Sequence, residues 1–330
     1  MTVVNALPRA DAWGAARAST GPAPGGPLDL AGIVTQLRAV REKWREQQSR
    51  PREISGRELP SREALVAILD GLRGALFPMR LGPPDLRQES EDYYVGHTLD
   101  TALHALLAQV GLELRYNARF GGDAALPLDE RALEIVREFG AALPRIRELL
   151  DSDVLAAYRG DPAARSVDEV LVCYPGLHAV IHHRIAHRLH ELGVPLVARI
   201  VAELAHGATG IDIHPGARIG SHFFIDHGTG VVIGETAVIG NNVRIYQAVT
   251  LGAKRFETDA DGALHKGGAR HPIVEDDVVI YAGATVLGRV TIGRGASIGG
   301  NVWLTRSVPP GSRIAQANAR DDRVDESTGR

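Results

Sequence analysis

The stretch IVEDDVVIYAGATVLGRVTIGRGASIGGNVWL, residues 273–304, places an apolar residue at every sixth position: Val274, Ile280, Val286, Ile292, Ile298 and Leu304. Two places before most of these stands a second, often smaller apolar residue: Val278, Ala284, Val290, Ala296 and Val302. Upstream the same beat runs through Ile213, Ile219 and Ile225, takes one eight-residue step, and resumes at Ile233, Ile239, Ile245 and Leu251. A helix repeats every 3.6 residues and a strand every 2, so neither accounts for a period of six. Short strands that turn a corner and stack coil upon coil do. A β-sandwich with glycine-rich turns would not hold so many repeats in phase. The reading is a parallel β-helix over residues 207–314.

Moving outward from the repeat, the period changes. Leu65, Ile68, Leu69, Leu72 and Leu76 mark one face of a helix that opens at Ser61 and stops at Pro78. Leu99, Leu103, Leu106, Leu107 and Val110 mark a second, closed by Gly111. Leu133, Val136, Phe139 and Leu143 mark a third, which Pro144 is expected to kink or split. Helices over residues 28–50, 175–192 and 195–206 complete the set. The fold class is therefore α+β, with an all-helical region (residues 28–206) preceding the coils. Residues 1–27, rich in Ala, Pro and Gly, read as a disordered extension, and residues 315–330 as a flexible tail.

Composition narrows the function classes. Of the 330 residues, 37 are Lys or Arg and 40 are Asp or Glu, a net charge of −3. A nucleic-acid partner would call for a basic face. Cys173 is the only cysteine, which rules out an intrachain disulfide and suits a reducing compartment. Arg9, Asp11 and Arg17 interrupt the N-terminus where a secretory signal would need an apolar core. No apolar run is long enough to span a bilayer. The expectation is a soluble cytoplasmic protein with neither nucleic acid nor membrane as partner.

A regular solenoid performs no chemistry by itself, so its interruptions carry the information. The eight-residue step contains Asp226-His227-Gly228-Thr229-Gly230, and two surplus residues must bulge out of the coil there. Asp212 lies fifteen residues before His227, close to the eighteen of one three-sided turn. Its carboxylate could orient the imidazole and leave the other ring nitrogen free as a base. The competing reading makes all three simple turn residues. The second interruption, residues 252–271, ends on Arg270 and His271 and reads as an active-site flap or as a surface excursion. Arg270 offers a planar fork for a carboxylate.

Taken in order, Asp161-Pro162, the His-rich helix 176–187, Asp212-Ile213-His214-Pro215, Asp226 to Gly230, Gly234 to Val238 and Arg270-His271-Pro272 resemble the motifs of serine O-acetyltransferase. The resemblance covers roughly residues 130–312. It implies a left-handed coil, a homotrimer with active sites between neighbouring subunits, and in some members a dimer of trimers. The implied reaction moves acetyl from acetyl-CoA, a co-substrate and not a permanent cofactor, to the hydroxyl of L-serine on the way to cysteine. By the same resemblance His227 is the base and Asp212 orients it. Asp161, Asp226, Arg270 and His271 hold the amino acid, and acetyl-CoA lies near Ala282, Gly283 and Gly300. L-cysteine is the implied inhibitor, competing for the serine site.

Departures and rivals complete the reading. Many family members engage cysteine synthase through a terminal isoleucine, whereas this tail ends in Arg330, which makes such a complex doubtful. The 252–271 loop is longer than the better-known flap, and residues 315–320 depart from the usual Gly-Val-Pro-Ala-Arg. A hexapeptide acyltransferase acting on another hydroxylated acceptor is one alternative. A γ-carbonic-anhydrase-like hydratase is another, and would need three histidine ligands such as His222 and His227 with a third. His183 and His187, at helical i, i+4 spacing, have no acidic residue between them and read as packing residues; no metal site is assigned. Cys173 has no base partner and reads as a structural thiol.

Overall fold

The computed structural model describes residues 28–47, 58–119, 127–254 and 267–316. The expected disordered extension, the middle of the 252–271 loop and most of the expected tail lie outside the described residues. Residues up to Glu58 form one compact unit, whose described helix is α1 (Leu30–Gln47). Residues from Leu59 onward form the other.

In the larger unit, α2 (Arg62–Leu76) is capped by Ser61, whose side chain accepts from Ala64 N at 3.3 Å. A cap of this kind typically contributes ~1 kcal/mol. All five residues of its expected apolar face are buried. Pro78 does not simply stop the chain; it occupies the first turn of the short helix α3 (Pro78–Leu81), where its missing N–H costs nothing. Neither Gly111 nor Pro144 ends its helix. α4 (Glu91–Ala118) runs through Gly111, because beyond the expected end Glu113 is buried and Leu114 still packs against the core. α5 (Leu128–Gly160) runs through Pro144, whose ring is exposed while Leu143, Ile146 and Leu150 keep packing on the buried side. α6 (Val167–Cys173), unforeseen in the sequence, precedes α7 (Pro175–Glu191) and α8 (Pro195–Thr209). Glu113 Oε1 and Oε2 accept from Leu196 N and Val197 N at 2.8 and 2.7 Å, which occupies free N–H groups at the start of α8.

After α8 the chain winds as a left-handed parallel β-helix with three faces. The first face stacks β1 (Asp212–Ile213), β4 (Val232–Ile233), β7 (Thr250–Gly252), β10 (Thr285–Leu287) and β13 (Trp303–Leu304). The second stacks β2 (Arg218–Ile219), β5 (Val238–Ile239), β8 (Ile273–Val274) and β11 (Thr291–Ile292). The third stacks β3 (Phe224–Ile225), β6 (Arg244–Ile245), β9 (Val279–Ile280), β12 (Ser297–Ile298) and β14 (Arg313–Ile314). Apart from half-buried Ile219, every residue of the six-residue series is buried inside the prism.

Helices and coils share one hydrophobic core, so the change of secondary structure at Gly210 is not a gap in packing. A buried ion pair ties the two together. Arg184 of α7 donates to both carboxylate oxygens of Asp153 on α5, at 3.0 and 3.1 Å, and to the carbonyls of Ile219 and Gly220 at 2.5 and 2.6 Å. Asp153 in turn accepts from Phe223 N at 2.9 Å. Burial pushes the Asp153 carboxyl up to about 6, against the pull of Arg184.

Candidate active site

Strand register locates the insertion. Ile225 pairs with Ile245, twenty residues on, whereas Val232 pairs with Thr250, eighteen on. Two residues are therefore surplus at the corner between the third and first faces. The left-handed corner residues Gly230 and Ala248 correspond, which identifies the surplus pair as His227 and Gly228. Both have positive φ, 60° and 88°. A non-glycine residue in that region is uncommon and costs of order 1 kcal/mol. Glycine is favoured at 228 by its left-handed φ, and a Cβ there would stand 2.4 Å from Ile211 Cδ1. The bulge projects the His227 side chain outward, 70% exposed.

Around it lies a group of acids with fixed partners. His227 Nε2 is 3.7 Å from Asp226 Oδ1. Asp226, buried, accepts from Arg244 Nη2 at 2.6 Å through its other oxygen, and Arg244 Nη1 donates to Gly160 O at 2.6 Å. Asp161 accepts from the Tyr174 hydroxyl at 2.5 Å and from Ala163 N at 2.8 Å. The Tyr174 bond, then that from Ala163, then the nearby charges of Arg244 and His227 hold the Asp161 carboxyl below its usual range. The same bond raises the Tyr174 phenol to about 12. Asp212, expected to orient His227, makes no ion pair with it. Its carboxylate sits within 4.8 Å of ligand atoms of Glu203 and His206 on α8.

Arg270 and His271 belong to a different corner, between the first and second faces. Arg270 Nη2 donates to Glu235 Oε2 at 2.5 Å. Thr236 Oγ1 accepts from Arg270 N and His271 N at 2.9 and 3.1 Å. Thr236 N donates to His271 Nδ1 at 3.0 Å, so the proton of the neutral ring is on Nε2. Burial, then the charge of Arg270, lowers His271 to about 4, and it stays neutral at physiological pH. Gly234 provides the space: a Cβ there would lie 2.0 Å from His271 Cδ2. The two groups thus stand at opposite ends of the first-face strands. With about six residues per side, that is roughly 15–20 Å at ~3.3 Å per residue.

Ala282, Gly283 and Gly300 share the corner of His227, on later coils: Asn301 N donates to Ala282 O at 2.8 Å and Gly283 N to Gln247 O at 3.0 Å. On the coil between His227 and Ala282, the buried amide oxygen Gln247 Oε1 has no hydrogen-bond partner among the described residues. His222 lies at the third kind of corner, bonded through its N–H to Ser152 Oγ at 3.0 Å, so the three histidines of a hydratase do not converge. Among the described residues the one grouping with metal-ligand spacing is Glu203, His206 and Asp212, which contains a single histidine. Cys173 is exposed, contrary to a packing role.

Several residues had drawn no role from the sequence. Arg244 was findable, since it stands one coil beyond Phe224, two residues before Asp226. Glu235 and Thr236 sat inside a noted motif. Tyr174 had no signal, because its contact with Asp161 depends on how α6 turns the chain.

Six histidines, His178, His182, His183, His190, His214 and His271, have pKa values lowered first by burial. His183 has both ring nitrogens buried without partners. The unfolded chain takes up protons below ~6.5 that these native rings refuse at the same pH, His178 and His271 until about 4. Stability is therefore expected to be full above ~7 and to fall as pH drops towards 4, by up to about 1.4 kcal/mol per pH unit for each fully buried ring. Urea unfolding at about pH 7.5 and about pH 5 measures it; equal midpoints would contradict the expectation.

The family model described as bacterial transferase hexapeptide (six repeats) matches residues 271–306. A Synechococcus elongatus protein named "Serine acetyltransferase, plasmid" is 61% identical over 274 residues, 82% of this chain and 86% of that one. Among solved structures, serine acetyltransferase isoform 3 of Entamoeba histolytica in complex with cysteine aligns with a TM-score of 0.66 and 37% identity, over 79% of this chain and 84% of that one. Serine acetyltransferase 1 of the same organism, in complex with L-cysteine, aligns with a TM-score of 0.66 and 35% identity, over 86% and 100%. With that identity spread over both the helices and the coils, this chain belongs to the serine acetyltransferase family.

Proposed function

We infer that this protein transfers acetyl from acetyl-CoA to the hydroxyl of L-serine, giving O-acetylserine for cysteine biosynthesis. The observation that carries this is His227, presented on a two-residue insertion beside Asp161 and Asp226 in a chain of this family. His227 takes the serine hydroxyl proton as the oxygen attacks the thioester carbon. The C–S bond then breaks, and the imidazolium returns the proton to the leaving sulfur. The thioester is already activated, so one base worth about 10²–10⁴ in rate suffices. Asp161 and Asp226 match the serine ammonium. Arg270, held by Glu235, and the Nε2–H of His271 match its carboxylate.

One serine cannot reach two groups separated by the width of a face. The site is complete only where the His227 corner of one subunit meets the Arg270 corner of the next, which a threefold arrangement about the first faces provides. Acetyl-CoA follows the His227 corner past Gln247 to Ala282, Gly283 and Gly300, about three coils at ~4.8 Å each. For Asp212 to orient the base, His227 must turn away from Asp226, and its exposure permits that rotation. Cysteine, sharing serine's ammonium and carboxylate, competes at this site. The single exposed cysteine suits a reducing cytoplasm.

Thiol release from acetyl-CoA across a panel of hydroxylated acceptors tests the reaction. Release with serine, competitively suppressed by cysteine, is expected; release only with a sugar or another acceptor would overturn it. Arg270→Lys is expected to raise the serine KM about tenfold or more with a smaller change in kcat, because an ammonium cannot reproduce a two-pronged contact. Initial rates against serine concentration decide this, and an unchanged KM removes Arg270 from the site.

A further inference from the structure

Helix α1 carries an apolar stripe that no other described residue buries. Asp29 Oδ1 accepts from Gly32 N at 2.8 Å and starts the helix. Leu30, Leu37 and Trp44 then recur every seven residues, and Ile33 and Val40 follow the first two by three. These five side chains are 47–64% exposed, and no residue of α1 is buried. The pattern is a heptad seam of period 3.5, narrower than the stripe of a helix that packs on a globular core. An isolated helix of 18 residues is only marginally stable in water, so the seam requires a partner.

We propose that α1 joins the α1 helices of two further copies of this chain in a parallel three-stranded coiled coil. Identical seams are self-complementary when copies run parallel and in register. Among the described residues the flanks permit it: Asp29 would face Val34 and Gln36 would face Arg41, so no like charges meet. Leucine at the first seam position with Ile33 or Val40 at the second disfavours two strands and favours more. The count of three rests on the trimeric site inferred above. Two and a half heptads are too few to assemble a coil alone. Tethering to a trimer raises the local helix concentration to the millimolar range and removes that obstacle.

The test uses the full chain with Cys173→Ser, which removes its one thiol. Val40→Cys places a thiol on the seam and Glu42→Cys places one on the opposite face. Across the seam, neighbouring Cα atoms come within disulfide reach, about 4.4–6.8 Å. Mild oxidation is expected to link Val40→Cys into covalent pairs at least about tenfold faster than Glu42→Cys, and adding Leu37→Asp should abolish the difference. Sedimentation of each reduced variant reports its assembly independently. Equal linking rates in a trimeric particle would overturn the coil while leaving the trimeric site intact. A monomeric particle would overturn the trimer and the coil with it, and rapid linking in a dimeric one would replace three strands by two.

Discussion

His227→Ala is expected to lower serine-dependent turnover by about 10²–10⁴-fold with no loss of fold. The side chain is exposed on a bulge and buries almost nothing, so its removal leaves the coil's core contacts in place. Alanine can also adopt the left-handed φ of residue 227, as Ala248 does at φ 58°. Thiol-release rates with circular dichroism on the same sample separate chemistry from folding. A folded variant with near-normal turnover would eliminate His227 as the base. Asp212→Asn is expected to be milder, since it disturbs the base without deleting it. If Asp212→Asn is silent, the arrangement in the free chain is the working one, with Asp226 beside the imidazole.

The second large effect concerns stability. Asp153→Ala should cost about 3–5 kcal/mol, because it strands the buried Arg184 guanidinium without its carboxylate. For a domain stable by about 5–15 kcal/mol this is a large share. The loss should appear as a lowered urea midpoint at nearly constant slope. Replacing both partners with apolar residues is often neutral for a buried pair. Here it should still destabilise, because the Phe223 N–H and the carbonyls of Ile219 and Gly220 would lose their partners together. A shift for Asp153→Ala below about 1 kcal/mol would mean that the pair does not anchor the coils.

The β-helix was legible in the sequence because each inward position meets the same demand. A narrow prism accepts only apolar residues there, so the period of six survives from Ile213 to Leu304. The insertion was legible for the same reason: two surplus residues in a strict repeat have nowhere to go but outward, and they are His227 and Gly228. Helix faces were readable wherever the 3.6 period met a core, as at Leu65 to Leu76. Their ends were not. Gly111 and Pro144 weigh locally against a helix by about 1–3 kcal/mol, and the burial of the residues beyond them outweighs that. The site's contacts were beyond reach for a related reason. Spacing says which coil a residue occupies, but the placement of a side chain depends on what packs beside it. Asp212 lies one coil from His227, yet α8 brings Glu203 and His206 to its carboxylate, while the corner geometry leaves Asp226 nearest the imidazole. Sequence determined the faces, the coil count and the surplus residues, because these follow from which side chains can be buried. Only the tertiary structure decided the pairings Tyr174–Asp161, Arg244–Asp226 and Glu235–Arg270, because each joins side chains from separate elements whose distance the packing of helix on coil, or of coil on coil, sets.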